Sequence, residues 1–367
     1  MRTFSSVAPS RAARCPFILP TPPFAEIDAV LRDALGTRFS AAVVRVEQGG
    51  TLRHERAFGR TRDDGPAQPV YADSRFDLAS LTKVFVATVA LELVARGALE
   101  LDAPLAHVVP EWRDTDHATI TLRRILAHDA GFKSGADYRT LLGSNVERFA
   151  LTEPLAAPVG ERVIYSDLGF IALGTVVARG AETASLARAV EPALRSWGAT
   201  DTAYRPAGRA RLAIPATETD AWRGSVQADV HDEKAYLMGG VAGHAGLFGT
   251  ARDVALLGEW YLAALRGRAT PLDRALAREA VGEQAWDPVL RRGLGWALKT
   301  TDDNSAGPLM APGAFGHTGF TGTSVWVDTQ RDLTVVLLTN AVHHGRSDIK
   351  AIRAAVADAA VHAADRA

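Results

Sequence analysis

One segment constrains the fold of this chain more than any other. From Leu81 to Val94 almost every residue is apolar, and the apolar residues cover all sides of the predicted helix instead of one stripe. A helix that is apolar all round is buried in a core, and Gly97 is a natural end point for it. With 367 residues the chain is long enough to enclose such a helix, as one large domain or as two lobes.

Ser80 and Lys83 stand at the beginning of this helix in a Ser-x-x-Lys pattern. Residues three positions apart face the same side of a helix, so the Lys83 amine is expected beside the Ser80 hydroxyl. A serine hydroxyl becomes a nucleophile when a neighbouring base takes its proton. The pattern therefore predicts that Ser80 is a covalent catalyst.

The same pattern occurs a second time, from Ser347 to Lys350. There the apolar residues recur at the spacing of an amphipathic helix. We expect Ser347 to be the N-cap of that helix and Lys350 to be solvated. Because the pattern by itself is common, the surroundings of Ser80 must distinguish it.

Strand patterns occupy both ends of the chain, and helical patterns occupy the middle. The predicted fold class is α+β, of the α/β-sandwich type, with an antiparallel sheet from both termini flanked by helices and a mostly helical lobe. We expect an active site in the cleft between the lobes. The predicted division is a flexible tail over 1–25, a sheet lobe from 26–74 and 288–367, and a helical lobe from 75–287.

The individual elements follow from local periodicity and turn residues. Thr250 and Asp253 are expected to form a capping pair. The predicted helices are Ala25 to Leu35, Leu168 to Arg179, Ala251 to Arg266 and a last helix from Ser347. The predicted strands are Ala41 to Glu47, Leu52 to Phe58, Gly295 to Thr300, Thr323 to Val327 and Leu333 to Leu338.

Composition excludes several classes of function. The formal net charge is −1, so no broad attraction to nucleic acid or to an anionic membrane is expected. Cys15 is the single cysteine, which excludes an internal disulfide and a cysteine-based zinc site. No zinc-protease, nucleotide-binding or Gly-x-Ser-x-Gly motif occurs, and we expect neither a metal nor a cofactor. No apolar run suits a secretion signal or a membrane span, which predicts a cytoplasmic protein, or a periplasmic or extracellular one if the N-terminus is truncated.

Two further strings have side chains suited to the same chemistry. In Tyr165-Ser166-Asp167 the phenol could relay a proton to or from the serine. The alternative is a half-buried Tyr165 with Asp167 capping the next helix. In His317-Thr318-Gly319 the glycine allows close approach of a ligand, and exposed N–H groups there could bind an oxyanion. The alternative is a glycine-rich edge strand with a surface histidine.

Together, Ser80-x-x-Lys83, Tyr165-x-Asp167 and His317-Thr318-Gly319 resemble the signature of the serine penicillin-recognising enzymes in order and in wide spacing. The family includes class C β-lactamases and their esterase and D,D-peptidase relatives. The resemblance covers roughly residues 26–365 and implies a β-lactamase/transpeptidase-like fold. Further segments that look like those of the family are Phe76 to Leu101, Ile120 to Phe132 and Gly239 to Asp253.

The resemblance implies a role for each matching residue. Ser80 is the acylated nucleophile, Lys83 activates it, and Tyr165 moves protons and activates water for deacylation. The backbone N–H groups of Ser80 and Phe320 form the oxyanion hole. The substrate-binding residues that it implies are Asp167, His317, Thr318, Gly319 and Phe320.

The chain departs from the family pattern at two positions. Asp167 stands where the family usually has asparagine, and a carboxylate there could pair with Lys83 and hold it charged. Since the ordinary pKa of lysine is about 10.4, such a pair weakens Lys83 as a base and leaves more of the proton transfer to Tyr165. His317 stands where lysine is commoner, and a largely neutral imidazole attracts a substrate carboxylate less well. His244 either approaches the cleft or has a structural role in which it hydrogen-bonds to the backbone, and we favour the structural role.

The sequence therefore predicts a serine hydrolase that acts through an acyl-enzyme on ester or peptide-like amide carbonyls. Its partner is a small-molecule ester or peptide-like substrate, and its oligomeric state stays open. A β-lactamase-like carboxylesterase is the first choice of activity. The alternatives are a D-alanyl-D-alanine carboxypeptidase or weak β-lactamase, and a catalytically inactive relative that binds a ligand.

Overall fold

The elements follow the predicted order, with strands at both ends and helices in the middle. The computed structural model describes residues 23–206, 211–286 and 290–366, so Cys15 and most of the predicted tail lie outside it. Its α-helices are α1 (Ala25–Ala34), α2 (Leu81–Ala95), α3 (Leu122–Leu126), α4 (Val146–Thr152), α5 (Asp167–Gly180), α6 (Leu186–Ser196), α7 (Glu233–Leu237), α8 (Ala251–Leu265), α9 (Arg274–Val281) and α10 (Lys350–Ala364). Its strands are β1 (Ala41–Gln48), β2 (Thr51–Gly59), β3 (Phe76–Asp77), β4 (Ala203–Tyr204), β5 (Glu218–Asp220), β6 (Gly224–Val226), β7 (Leu247–Gly249), β8 (Ala285–Trp286), β9 (Arg291–Arg292), β10 (Ala297–Leu298), β11 (Phe315–Thr318), β12 (Ser324–Asp328) and β13 (Leu333–Thr339).

One large antiparallel sheet joins the two ends of the chain. Its strand order is β2-β1-β13-β12-β11-β10-β9-β8. The N-terminal hairpin turns at Gly49 and Gly50, both with positive φ, and β1 pairs along its length with β13 from the C-terminal hairpin. This arrangement confirms the predicted sheet from both termini and the α+β fold class.

The central strands are buried on both faces, which explains their nearly continuous apolar sequence. Because side chains alternate along a strand, Val43 and Val336 enter the core shared with the middle helices. Val44 and Leu337 enter a second core, which α1 and α10 contribute to on the opposite face. Helix α8 packs against β1, β12 and β13. The middle of the chain therefore covers the sheet as well, and the lobe boundaries stay a prediction.

Helix α2 lies in the core as predicted. Of its 15 residues, 13 are buried. It ends in a Schellman motif, in which the N–H of Gly97 donates to the Val94 carbonyl and the N–H of Ala98 donates to the Leu93 carbonyl, both at 2.9 Å. Gly97 has φ +72°, a conformation that suits glycine. The nucleophile candidate therefore begins a rigid, enclosed helix.

The predicted cap at Ser347 is wrong, and the predicted capping pair of Thr250 and Asp253 is only half formed. Ser347 does not cap α10, which begins at Lys350, and the Asp348 carboxylate accepts from the Lys350 N–H at 2.8 Å instead. Thr250 caps α8 as predicted, since its hydroxyl accepts from the Asp253 N–H. The Asp253 carboxylate does not complete the capping box because it accepts from the Asp201 N–H, at 2.8 Å.

Pairing is shorter than predicted in one strand. In the segment expected to be extended from Gly295 to Thr300, strand β10 comprises two residues, and the Lys299 N–H continues the pairing by donating to the Ala314 carbonyl at 2.9 Å. Gly295 lies outside the strand because it has a positive φ. Among the described residues, none of the helices combines the length and the apolar composition that crossing a membrane requires.

Candidate active site

A tight turn presents Ser80 at the N-terminus of α2. Ala79, just before it, has φ +46°, which is uncommon for a residue with a side chain. The buried Asp77 carboxylate holds this turn by accepting from the N–H groups of Ala79, at 2.8 Å, and His231, at 2.6 Å. Such local strain is often found at functional sites, where the surroundings enforce it.

The Lys83 side chain is completely buried directly behind Ser80. Its ammonium nitrogen lies 2.9 Å from Ser80 Oγ, 2.9 Å from Asp167 Oδ1 and 3.3 Å from the His244 carbonyl oxygen. An ammonium group has three N–H donors, and Lys83 has these three acceptors. The predicted pairing of Asp167 with Lys83 is therefore present in the structure.

Charge decides the protonation state of this pair. Burial disfavours the ammonium form, but the Asp167 carboxylate and the Tyr165 phenol outweigh burial and raise the pKa of Lys83 above its ordinary value. Burial also disfavours ionised Asp167, yet Lys83, followed by His244 and Lys234, holds the pKa of Asp167 below its ordinary value. At neutral pH the pair consists of an ammonium and a carboxylate.

Tyr165 lies beside the pair, on the segment that leads into α5. Its ring centroid is 4.8 Å from Lys83 Nζ and 4.6 Å from the His128 ring, and the Arg292 guanidinium lies 5.1 Å from it. His128 Nδ1 accepts from the Ser166 N–H at 3.1 Å. These contacts enclose the Tyr165 ring between aromatic and cationic neighbours.

Helix α5 begins differently from the capping alternative considered for Asp167. Ser166 is the N-cap, and its hydroxyl accepts from the Gly169 N–H at 3.0 Å. Because the Ser166 hydroxyl serves as the cap, the Asp167 carboxylate is available for the two lysines. The alternative role for Asp167 is therefore wrong.

Strand β11 brings the third predicted motif to the same place. His317 is buried, and its Nδ1 lies 2.9 Å from the Thr318 carbonyl oxygen. Burial, reinforced by Lys83 and Arg292, lowers the pKa of His317 to about 3. The imidazole is neutral at physiological pH, so His317 provides no cation for a substrate carboxylate. A surface histidine on an edge strand, the alternative for this motif, is wrong.

Gly319 is required where β11 passes the turn before Ser80. A Cβ atom added at Gly319 would lie 2.1 Å from Thr323 Oγ1 and 2.6 Å from the Leu78 carbonyl oxygen. Thr323 donates to that same carbonyl at 3.1 Å. The absence of a side chain at Gly319 therefore sets the separation between the strand and the nucleophile turn.

Gly319→Ala is expected to lower the free energy of unfolding by about 1–3 kcal/mol, the usual cost of overpacking. The Leu78 carbonyl cannot give way without moving the turn at Ala79, so acylation should slow as well. Denaturant unfolding and stopped-flow acylation measure the two effects. Gly135→Ala is the matched control, since a Cβ atom there meets nothing within 4 Å. Equal behaviour of the two variants would contradict the expectation.

Two backbone N–H groups are available near the nucleophile. Within the described part of the chain, neither the Ser80 N–H nor the Phe320 N–H donates a hydrogen bond. Both residues line a cavity of about 580 Å³, together with Tyr165 and His317. Free N–H donors on the wall of such a cavity suit an oxyanion. A larger cavity of about 850 Å³ between α4, α5 and α6 contains none of the predicted site residues.

The structure therefore brings together every residue that the sequence predicts for the site. Ser80 contacts Lys83, Lys83 contacts Asp167, and the other members line the cavity around Ser80. These other members are Tyr165, His317, Thr318, Gly319 and Phe320. The catalytic and binding roles of all these residues stay a prediction.

The expectation for His244 needs correction. Its ring does not bond to backbone, because His244 Nε2 lies 2.7 Å from Asp232 Oδ1. Only its carbonyl oxygen contacts Lys83. Asp167, Asp232 and His244 are close enough to share a cation, and the ammonium groups of Lys83 and Lys234 lie on these carboxylates.

Sequence reasoning missed four residues around the site. His128 and Arg292 surround the Tyr165 ring, while Lys234 and Asp232 lie behind Asp167. His128 lies in the family-like segment from Ile120 to Phe132 but was given no role, and no motif of the sequence marks the other three. The glycine-rich stretch after α7 is the one signal that could have directed attention to Asp232 and Lys234, because it suggested a segment close to the cleft.

A half-buried serine that contacts a buried lysine at a helix N-terminus, on the wall of a cavity, assigns the protein to the class of the serine hydrolases. The family model described as Beta-lactamase matches residues 27–360. The chain therefore belongs to the β-lactamase family.

Individual relatives agree with this assignment. The chain is 32% identical over 365 residues to a putative D-alanyl-D-alanine carboxypeptidase of Escherichia coli strain K12, covering 88% of this chain and 83% of that protein. It is 31% identical over 377 residues to the esterase EstB of Burkholderia gladioli, covering 88% of this chain and 92% of that protein. A solved structure of EstCE1, a hydrolase with promiscuous acyltransferase activity, superposes with a TM-score of 0.75 and 21% identity. That match covers 91% of this chain and 98% of EstCE1, and it supports the fold.

Proposed function

We propose that this serine hydrolase cleaves carboxylic esters through an acyl-enzyme on Ser80. The observation that carries the proposal is the 2.9 Å contact between Lys83 Nζ and Ser80 Oγ on the wall of a cavity open to ligands. A nucleophile needs a base within hydrogen-bond reach, and this distance satisfies that need. The relative named an esterase supports the choice of substrate.

In the proposed first step Ser80 Oγ attacks the ester carbonyl carbon. The serine proton passes to the free amine form of Lys83, either directly or by relay through the Tyr165 phenol, and the carbonyl oxygen becomes an oxyanion held by the N–H groups of Ser80 and Phe320. When the oxyanion collapses, the bond to the leaving alkoxide breaks, and the alkoxide takes that proton and departs as an alcohol. Ser80 is left acylated.

In the second step water replaces the alcohol. Tyr165, held beside Lys83, takes a proton from the attacking water as its own phenolic proton passes to the free amine of Lys83, and the same two N–H groups hold the new oxyanion. Collapse breaks the ester bond to Ser80, whose oxygen takes the proton back. The carboxylic acid product leaves, and the enzyme returns to its starting state.

A peptide-like substrate is the second candidate, and one feature of the cavity favours it. Arg292, Arg346 and Arg353 contribute to the cavity wall, and the Arg353 guanidinium donates to the Gly319 carbonyl at 2.8 Å. Guanidinium groups bind carboxylates well. A substrate with a free carboxylate, as in a D-alanyl peptide, fits this wall, and a relative is named a putative D-alanyl-D-alanine carboxypeptidase.

Covalent labelling tests the proposed function. The protein is incubated with an activated p-nitrophenyl ester, and separately with a D-alanyl peptide and with a penicillin, and intact mass and peptide mapping locate the adduct. Ser347 lies on the same cavity wall and is the internal comparison. We expect an acyl adduct on the peptide that contains Ser80 and faster turnover of the ester.

The other outcomes are equally informative. An adduct on Ser347 would overturn the assignment of the nucleophile. Faster turnover of the D-alanyl peptide would make the protein a carboxypeptidase. No adduct with any acyl donor would mean an inactive relative that binds a ligand.

Asp167→Asn is expected to change the pH dependence of acylation. The free amine of Lys83 accepts the proton, and the carboxylate raises the pKa of Lys83, so the rate should increase with pH. Removing the carboxylate lowers that pKa, and at a pH below it acylation should accelerate by about tenfold each time the pKa falls by one. The pH profile of kcat/KM measures this effect. Asp229→Asn, which removes a surface ion pair with Arg211, should leave the profile unchanged. An unchanged profile in Asp167→Asn would contradict the expectation.

A further inference from the structure

A second lysine shares the carboxylate that holds Lys83. Lys234 is the second residue of α7, and its side chain is 11% exposed. Its ammonium nitrogen lies 3.3 Å from Asp167 Oδ2, while Lys83 contacts the other oxygen of the same carboxylate at 2.9 Å. One carboxylate therefore binds two ammonium groups, one of which contacts the nucleophile candidate.

Lys234 is also held from behind. Its nitrogen lies 3.1 Å from Asp232 Oδ2, and Asp232 Oδ1 lies 2.7 Å from His244 Nε2. The backbone carbonyl of His244 contacts Lys83 at 3.3 Å. The contacts form a closed ring that runs from Lys83 through Asp167, Lys234, Asp232 and His244 back to Lys83.

The two lysines and the two carboxylates of this ring stabilise each other in their charged forms. Burial disfavours the charged form of Asp232, but His244 and Lys234 outweigh it and hold the pKa of Asp232 well below its ordinary value. Asp232 and Asp167 likewise overcome burial and raise the pKa of Lys234. Two ammonium groups therefore face two carboxylates. If residue 167 were asparagine, Lys234 would contact only one carboxylate, that of Asp232.

We propose that Lys234 is a positioning residue of the active site, which shares Asp167 with Lys83 and thereby limits how tightly this carboxylate holds the Lys83 ammonium. Lys234 compensates for the carboxylate that stands in the usual asparagine position. Its positive charge opposes the charge on Lys83 and occupies one oxygen of Asp167. Both effects favour release of a proton from Lys83. The inference rests on the proposed function, in which the free amine of Lys83 activates Ser80.

Other groups also face Lys83, and the test must keep them constant. Tyr165 lies on the segment before α5, Arg292 adjoins its ring, and the two neutral histidines complete the surroundings. Burial lowers the pKa of both histidines, His128 and His317, and the charge of Lys83 contributes to this lowering.

The experiment measures the pH dependence of Ser80 acylation by a p-nitrophenyl ester in single turnovers. Lys234→Met should move the rise of the rate to higher pH, by about one on the pH scale, as expected when a like charge is removed from beside Lys83. Lys234→Arg keeps the charge and should leave the rise near its original pH. Lys350→Met, which removes a lysine paired with Asp303 on the surface, is the matched control.

A second variant protects the test against a folding defect. Asp232→Asn keeps a residue that can cap α7 but removes the negative charge behind Lys234. Lys234 should then bind Asp167 more strongly, and the rise should move to lower pH, opposite to Lys234→Met. In the Asp167→Asn background the change caused by Lys234→Met should shrink to less than half, because the shared carboxylate is gone.

Failure of this inference is distinguishable from failure of the proposed function. Absence of an adduct on Ser80 in the unmodified protein would overturn the proposed function. If the adduct forms but neither Lys234→Met nor Asp232→Asn moves the rise, or both move it in the same direction, Lys234 has only a structural role.

Discussion

Ser80→Ala is expected to lower turnover of an activated ester by about 10⁴- to 10⁶-fold, as loss of a covalent nucleophile does in other serine hydrolases. Among the described residues no other serine or threonine hydroxyl is hydrogen-bonded to Lys83, so no neighbouring alcohol can replace it. The two backbone N–H groups stay in place, so weak residual hydrolysis by bound water is expected. Steady-state kinetics and intact-mass labelling measure the two effects.

The fold should survive this substitution. The Ser80 side chain accepts one hydrogen bond, from Lys83, and α2 is held by the buried residues on all its sides. Thermal unfolding followed by circular dichroism is the control, and the transition should change little. A variant that is folded and retains more than about a hundredth of the activity would exclude Ser80 as the nucleophile.

Lys83→Met is expected to slow acylation by about 10²- to 10⁴-fold, the usual contribution of a general base. Removing one partner of a buried ion pair commonly destabilises a protein by about 3–5 kcal/mol. Here the cost should be smaller, since Asp167 keeps Lys234 as a partner at 3.3 Å. Stopped-flow acylation and denaturant unfolding measure the two quantities.

Lys83→Arg separates proton transfer from electrostatics. A guanidinium keeps the positive charge next to Asp167 but does not lose its proton in the accessible pH range. If Lys83 accepts the serine proton, the arginine variant should be as slow as the methionine variant. An arginine variant with more than about a tenth of the original rate would show that charge alone suffices, and Tyr165 would then be the proton acceptor.

Most of the elements that local sequence patterns predicted are present in the structure, because neighbouring residues decide periodicity. The apolar run after Ser80 forms α2, the glycine pair at 49–50 forms the first hairpin, and Thr323 to Leu338 forms the second. Strand ends and caps were less predictable. Asp253 and Ser347 have the right residue types for caps, but tertiary contacts and the actual helix start direct them elsewhere.

In the site, too, some contacts could be predicted from the sequence and others could not. The i, i+3 spacing alone places Lys83 beside Ser80. The resemblance to the family placed residue 167 near Lys83, and its carboxylate indicated that the two could pair. Nothing local predicts that Lys234 binds the other oxygen of that carboxylate, or that His244 uses its ring for Asp232. These contacts join segments that are distant along the chain, and their geometry depends on how α5, α7 and the glycine-rich stretch pack.

The sequence by itself determined the order of the main elements and the Ser80–Lys83 pair, since these depend on spacing and side-chain chemistry. Its resemblance to the family indicated which other residue types meet at the nucleophile. Only the tertiary structure decided how charge is distributed around Lys83. Coulomb interactions in a buried site depend on distances of a few ångströms and on exclusion of water, and neither is set until the helices pack against the sheet. The Asp167 carboxylate is visible in the sequence. Its effect on Lys83, however, depends on Lys234, which only the fold brings next to Asp167.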